Sequence, residues 1–84
     1  MNYDYITFRS ITFAQQGQRF LESANIDCLL MRTPKHLQER GCGYCLRLRK
    51  TQTSRAVAVL NEKGARYSKV YHMYGDTEVG EWEG

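Results

Sequence analysis

Two cysteines close together, Cys42 and Cys45, are the residues of this chain best suited to chemistry. Gly41 and Gly43 flank the first of them, so no bulky neighbour blocks a reaction partner from its thiol. Such a setting suits sulfur chemistry, for which the thiolate is the reactive form, and nearby cations favour the thiolate by lowering the thiol pKa. Arg40 is one such cation, two residues before Cys42. Other basic or imidazole side chains in or beside this stretch are Arg32, Lys35, His36 and Arg47.

The roles of the two cysteines remain open at this point. Cys42 could also be a small, inert residue at the edge of a strand. Cys45 could act as a resolving thiol, which releases a transferred atom and leaves a disulfide between the two cysteines. A separation of three residues in a regular strand would turn the two side chains to opposite faces, so this pairing requires Cys42 to lie in the turn.

Two other uses of a C-x-x-C pair fit the sequence less well. Thioredoxin-type oxidoreductases place the pair at a helix N-terminus, whereas here a strand pattern follows. A zinc site needs about four ligands, and the remaining candidates are His36, His72 and Cys28. Cys28 falls on the apolar face of its strand and is expected to be buried. We therefore predict no metal and no cofactor.

Length and charge indicate one small domain with a distinct C-terminal end. The chain has 84 residues, and its last ten contain four acids and no base, although the net charge is +3. We predict a basic domain over 1–75 and a flexible acidic tail over 76–84. No apolar run is long enough to span a membrane, and the N-terminus lacks signal-peptide features, so we expect a cytoplasmic protein with reduced thiols.

Hydrophobic periodicity predicts six elements, of which the strands alternate with a period of two and the helices repeat every three to four residues. In order they are a strand over 5–9, a helix from Thr12 to Asn25, a strand over 26–31, a strand from Tyr44, a helix from Thr53 or Ser54 to Gly64, and a strand over 67–74. In the third strand Leu46 and Leu48 should face the core, whereas Cys45, Arg47 and Arg49 should face water. The order predicts an α+β, ferredoxin-like split βαβ fold (βαββαβ), with two helices on one face of a four-stranded antiparallel sheet.

A threonine-proline pair followed by polar residues and a Cys-Gly step into an apolar-arginine strand resembles a known family. The residues are Thr33-Pro34 and then Cys42-Gly43 through Leu46-Arg47. They resemble the small bacterial domains called putative selenium/sulfur carrier-like proteins, over nearly the whole chain. The resemblance implies a carrier, rather than a turnover enzyme, that holds a persulfide or perselenide on Cys42. It also implies a donor, such as a cysteine desulfurase or a selenium-metabolism protein, and an acceptor protein.

A binding module is the alternative that the residues allow. Tyr44, Tyr67, Tyr71 and Phe8 could stack on bases while Arg47 and Arg49 contact phosphates. A regulatory or oligomerising module that binds a small ligand is a third possibility. The aromatic signature typical of RNA-binding strands is missing from the third strand, so nucleic acid is not the expected partner. The oligomeric state is left open, since an exposed edge strand allows a dimer without requiring one.

Overall fold

The computed structural model describes residues 3–35, 43–74 and 78–81, with 73–74 and 78–81 described by their backbone alone. Within these residues the elements are β1 (Tyr3–Phe8), α1 (Ile11–Ser23), β2 (Cys28–Arg32), β3 (Tyr44–Arg49), α2 (Thr53–Glu62), β4 (Val70–Tyr74) and β5 (Glu78–Glu81). A short 3₁₀ helix, Lys50–Gln52, connects β3 to α2.

The strands form one antiparallel sheet in the order β2-β3-β1-β4-β5. β3 and β1 are the central pair of the first four strands, and β2 lies at one edge. A helix follows β1 and another follows β3, and both pack into a single core against the same face of the sheet. This arrangement confirms the predicted α+β fold with βαββαβ order.

The core lies between that face and the two helices. The predicted inward residues of β1 and β3, Ile6, Phe8, Leu46 and Leu48, are all buried there. α1 packs tightly on the sheet at Gly17, where an added Cβ would lie 2.8 Å from the ring of Phe8. Glycine at this position therefore sets how closely the helix packs on the strands.

α1 begins two residues earlier than the predicted cap suggested. Ser10, with extended backbone, accepts a hydrogen bond from the N–H of Phe13 at 3.2 Å and is the N-cap. Thr12, predicted as the cap, lies exposed in the first helical turn. Both residues are hydroxyl side chains three positions before a helical N–H, so the spacing identified the motif but not which residue forms it.

The predicted stop residues, Asn25 and Gly64, each lie just beyond the last turn of a helix. Both helices are closed there by the same hydrogen-bonding arrangement, the Schellman motif. Asn25 (φ 61°) and Gly64 (φ 69°) adopt the left-handed conformation that this motif requires and that few other residues tolerate. After α1 the N–H of Asn25 donates to the carbonyl of Glu22 (3.0 Å) and the N–H of Ile26 to the carbonyl of Leu21 (2.9 Å). After α2 the N–H of Gly64 donates to the carbonyl of Asn61 (3.2 Å) and the N–H of Ala65 to the carbonyl of Leu60 (2.9 Å).

The second face of β3 differs from its prediction. Arg49 is exposed and Arg47 is half-buried, but Cys45, which was expected to face water with them, is fully buried. β3 is a central strand, and Cys45 stands between Thr7 of β1 and Met31 of β2, its register partners. Alternation correctly separates the two faces of the strand, but it does not say how deeply neighbouring strands bury a small side chain.

The acidic C-terminal end contributes a fifth strand that the sequence did not predict. β5 pairs with β4, with Glu81 opposite Tyr71 and Gly80 opposite His72. Four residues of the predicted flexible tail therefore extend the sheet at its second edge. The division of the chain at residue 75 stays a prediction.

Candidate thiol site

The segment that contains the predicted site connects β2 to β3. Its ends are held together beyond the strands, because the N–H of Thr33 donates to the carbonyl of Gly43 at 3.0 Å. One step into the sheet Arg32 pairs with Tyr44, and the Arg32 guanidinium lies 5.5 Å from the centroid of the Tyr44 ring. The sheet thus anchors both ends of the segment 34–42.

Cys42 and three of its predicted neighbours, His36, Arg40 and Gly41, lie outside the described residues. Gly43, which follows Cys42 in the chain, is described, and no described atom lies within 4 Å of the position that a Cβ would take there. Of the predicted threonine-proline pair, Thr33 is buried and Pro34 is half-buried.

The buried thiol of Cys45 lies just inside this anchored end. Burial raises the pKa of Cys45 to about 11. A hydrogen bond with the Thr33 side chain and the positive charge of Arg47 both lower this pKa, but by less than burial raises it. Cys45 is consequently protonated at neutral pH, and a protonated, enclosed thiol is a poor nucleophile.

Cys28 is also a poor nucleophile, for a partly different reason. It is half-buried on edge strand β2, where it packs against the core, as its place in the apolar alternation predicted. Burial raises the pKa of Cys28 to about 11, and the negative charges of Glu22 and Asp27 add to the rise.

The structure does not bring Cys28 and Cys45 together. Both are free thiols. Cys28 pairs with Leu48 on the core face, whereas Cys45 pairs with Met31 on the opposite face. The two cysteines are three pairs apart along the ladder, about 10 Å at the rise of an antiparallel strand. No disulfide between them is compatible with this register.

Arg47, predicted as part of the thiol environment, lies on the same sheet face as Cys45, two residues along β3. Its guanidinium stacks over the ring of Tyr3, 4.3 Å from the centroid. This cation–π contact holds the side chain against β1. The charge of Arg47 lowers the pKa of Cys45, whereas its predicted effect on Cys42 stays a prediction.

A polar cluster at the other end of β1 was not anticipated. Asp4 is fully buried and accepts a 2.6 Å hydrogen bond from the Thr53 hydroxyl. Its second carboxylate oxygen lies 2.8 Å from Nδ1 of His72. Asp4 alternates with Ile6 and Phe8 along the strand, so the sequence pattern could have indicated that it faces the core. The pattern could not have identified Thr53 and His72 as its partners.

The part of the chain described by the structure contains no group of three or more histidine, cysteine or acidic side chains placed to hold a metal ion. Likewise, among the described residues no helix is both long and apolar enough to cross a bilayer.

Fold and site define a small ferredoxin-like α+β domain with a cysteine-containing segment anchored at one end of its sheet. Residues 2–72 match the family described as putative Se/S carrier protein-like. Because the match covers most of the chain, the protein belongs to that family, which confirms the resemblance seen in the sequence. Neither the comparison with curated proteins nor the comparison with solved structures gave a match.

Proposed function

We propose that this protein carries sulfur or selenium as a persulfide or perselenide on Cys42 and delivers it to an acceptor protein. Membership of a family named for Se/S carriers supports this function. Cys42 is chosen as the carrier residue because of the pKa values of the two described thiols. Cys28 and Cys45 both have pKa values raised to about 11, so Cys42 is the candidate left for a reactive thiolate at neutral pH.

Loading is a thiol exchange that needs no added oxidant. The Cys42 thiolate attacks the outer sulfur of a persulfide on the donor protein, forms a new S–S bond and displaces the donor cysteine as a thiolate. Cys42 then bears the group S–SH, or S–SeH when the outer atom is selenium. Delivery repeats the same exchange with a nucleophile of the acceptor, so electrons balance in both steps. The chemistry requires a reduced thiol, for which we propose the cytoplasm.

Cys45 has a conditional role in this proposal. As a resolving thiol it would attack Sγ of Cys42, expel hydrosulfide or hydroselenide and leave a Cys42–Cys45 disulfide, which a cellular dithiol would have to reduce. Its burial and raised pKa make this step slow unless the thiol becomes exposed. Direct transfer to the acceptor therefore has the advantage at neutral pH.

Mass spectrometry of loaded protein tests the proposal. The reduced protein is incubated with a cysteine desulfurase and either cysteine or selenocysteine. We expect a sulfur or selenium adduct on wild type, none on Cys42→Ser, and full loading of Cys45→Ser with delivery to the acceptor at the wild-type rate. Equal loading of wild type and Cys42→Ser would exclude Cys42 as the carrier, and loss of loading in Cys45→Ser would exchange the roles of the two thiols.

A further inference from the structure

The sheet face opposite the helices presents a group of neighbouring side chains from β2, β3 and β1. We call this group the open-face patch, and it consists of Tyr3, Tyr5, Leu29, Met31, Arg47 and Arg49. The register places Leu29 opposite Arg47, Arg47 opposite Tyr5, and Tyr3 opposite Arg49. Leu29 is 49% exposed, Arg49 is exposed and the other four are half-buried.

The composition of the open-face patch is that of a protein interface. Interface centres are enriched in tyrosine, methionine and arginine and depleted in lysine and acids, and the open-face patch contains two tyrosines, two arginines and one methionine without a lysine or an acid. The stacking of Arg47 on Tyr3 holds a long side chain in place before any partner arrives. Such pre-organisation reduces the entropy lost on binding.

The charge of the open-face patch indicates what the partner presents. Among the described residues neither Arg47 nor Arg49 has a carboxylate partner. Among the described residues, Asp4 lies between Tyr3 and Tyr5 but is buried on the core face, where it binds Thr53 and His72. The next described acids are Asp27, which lines the cavity beside β2, and Glu81, which the register places beyond Tyr71 on β5. The centre of the face is therefore positive and attracts a negatively charged surface.

A cavity of about 210 Å³ adjoins the two arginines. Tyr3, Leu29, Arg47 and Arg49 line it together with Asp27, Cys28 and Leu48. It is smaller than the pockets of about 300–1,000 Å³ that enclose whole small-molecule ligands. Its size suits one inserted side chain, the way a partner anchors itself at the centre of an interface.

We propose that the open-face patch is the docking surface for the protein that loads Cys42, and that this partner presents carboxylates to Arg47 and Arg49 and inserts one side chain beside Leu29. The inference rests on the proposed carrier function. Arg47 is four residues from Gly43, about 13 Å along the strand. A standard interface buries about 800 Å² on each partner, and an area of that size is wider than this distance. A donor docked on the open-face patch therefore reaches the segment that contains Cys42.

Single-stranded RNA fits these observations less well. Base stacking needs accessible aromatic faces, but Arg47 covers the ring of Tyr3, and Tyr71, which the register places opposite Tyr5, is buried. The exposed leucine also has no counterpart on a phosphate backbone, whereas it suits the apolar centre of a protein contact.

Loading kinetics test the docking surface. A cysteine desulfurase with cysteine serves as the protein donor and inorganic polysulfide as a donor without a protein surface, and the initial rate of Cys42 modification is followed by mass spectrometry. We expect Arg49→Gln, Arg47→Gln and Leu29→Ser each to lower the ratio of desulfurase to polysulfide loading about three- to tenfold. The loss should appear as a raised KM for the carrier, with a smaller change in kcat. Arg19→Gln, which removes the same charge from the exposed side of α1, should leave the ratio unchanged.

The outcomes distinguish a docking surface for the donor, a surface for nucleic acid, and a failure of the carrier function itself. An unchanged ratio in all three variants overturns the docking surface while leaving the carrier function intact. Tight binding of an oligouridine RNA that Arg47→Gln and Arg49→Gln abolish, with unchanged desulfurase loading, overturns it in favour of a nucleic acid. Failure of both donors to modify wild type at Cys42 refutes the carrier function and the docking surface with it.

Discussion

Burial raises the pKa of both described cysteines, Cys28 and Cys45. Cys45 follows Cys42 by only three residues, yet burial raises the pKa of Cys45 to about 11. The apolar alternation around Cys28 predicted its position against the core. No comparable signal was available for Cys45, because it alternates with Arg47 and Arg49 and its position between Thr7 and Met31 of the neighbouring strands follows only from the register.

Differential alkylation measures this contrast. In native protein at pH 7 we expect iodoacetamide to modify Cys42 at least tenfold faster than Cys28 and Cys45, because the thiolate reacts and both described thiols are protonated. Peptide-level mass spectrometry over time gives the three rates, and unfolded protein in urea, where the rates should converge, is the control. Modification of native Cys45 as fast as of unfolded Cys45 would contradict the burial described here.

The raised pKa of Cys45 also predicts an alkaline loss of stability. The thiol ionises near pH 9.0 when unfolded and near 11 when folded, so its contribution is complete below pH 9 and is lost between pH 9 and pH 11. We expect the free energy of unfolding to fall by about 2 kcal/mol more in wild type than in Cys45→Ala over this interval. Urea unfolding at pH 8 and pH 11 measures both proteins, and parallel pH profiles would refute the shift.

At the scale of elements, the sequence signals that worked were those set by backbone geometry. Asn25 and Gly64 end their helices because the left-handed position of the motif admits few other residues. Thr53, which the sequence offered with Ser54 as the cap of α2, is instead its first helical residue and donates its hydroxyl to Asp4. The cap position is taken by Gln52, which makes no side-chain capping hydrogen bond. A tertiary contact thus replaced the local one that the sequence indicated.

Gly17→Ala tests the packing of α1 against the sheet, and Gly43→Ala, outside the helix, is its control. Gly17→Ala should destabilise the protein by about 1–2 kcal/mol, because the clash of the new Cβ with the buried Phe8 ring outweighs the gain in helix propensity. Gly43→Ala, for which no described atom stands in the way, should change stability by less than about 0.5 kcal/mol. Thermal or urea unfolding compares the two. A Gly17→Ala variant as stable as wild type would mean that the helix has room to move away from the strand.

At the scale of the whole molecule, the Asp4 carboxylate connects elements distant in sequence. It joins β1 to α2 through Thr53 and to β4 through His72, at the opposite end of β1 from the β2–β3 segment. Asp4 lay outside the predicted first strand, and a hydrogen bond across 49 residues and another across 68 have no local signature. Similarly, β5 was missed because its strand character depends on the edge that β4 offers, not on its own acidic and glycine-rich sequence.

Coupling between these residues is measurable by a double-mutant cycle. Asp4→Ala should cost about 2–4 kcal/mol, because it leaves the buried Thr53 hydroxyl without its acceptor, and Thr53→Ala should cost about 1–3 kcal/mol. The double variant should lose at least about 1 kcal/mol less than the sum of the single losses. Additive losses in urea unfolding would indicate that the 2.6 Å hydrogen bond contributes nothing specific to stability.

Transfer of a chalcogen to Cys42 is the most direct measurement of the central claim. Reduced wild type, Cys28→Ser, Cys42→Ser and Cys45→Ser are incubated with the desulfurase and cysteine, and intact and peptide masses are recorded before any reductant is added. We predict one added sulfur, located on Cys42, in every protein except Cys42→Ser. An adduct on Cys28 or Cys45 in wild type, or none on wild type while Cys42 alkylates readily, would contradict the account.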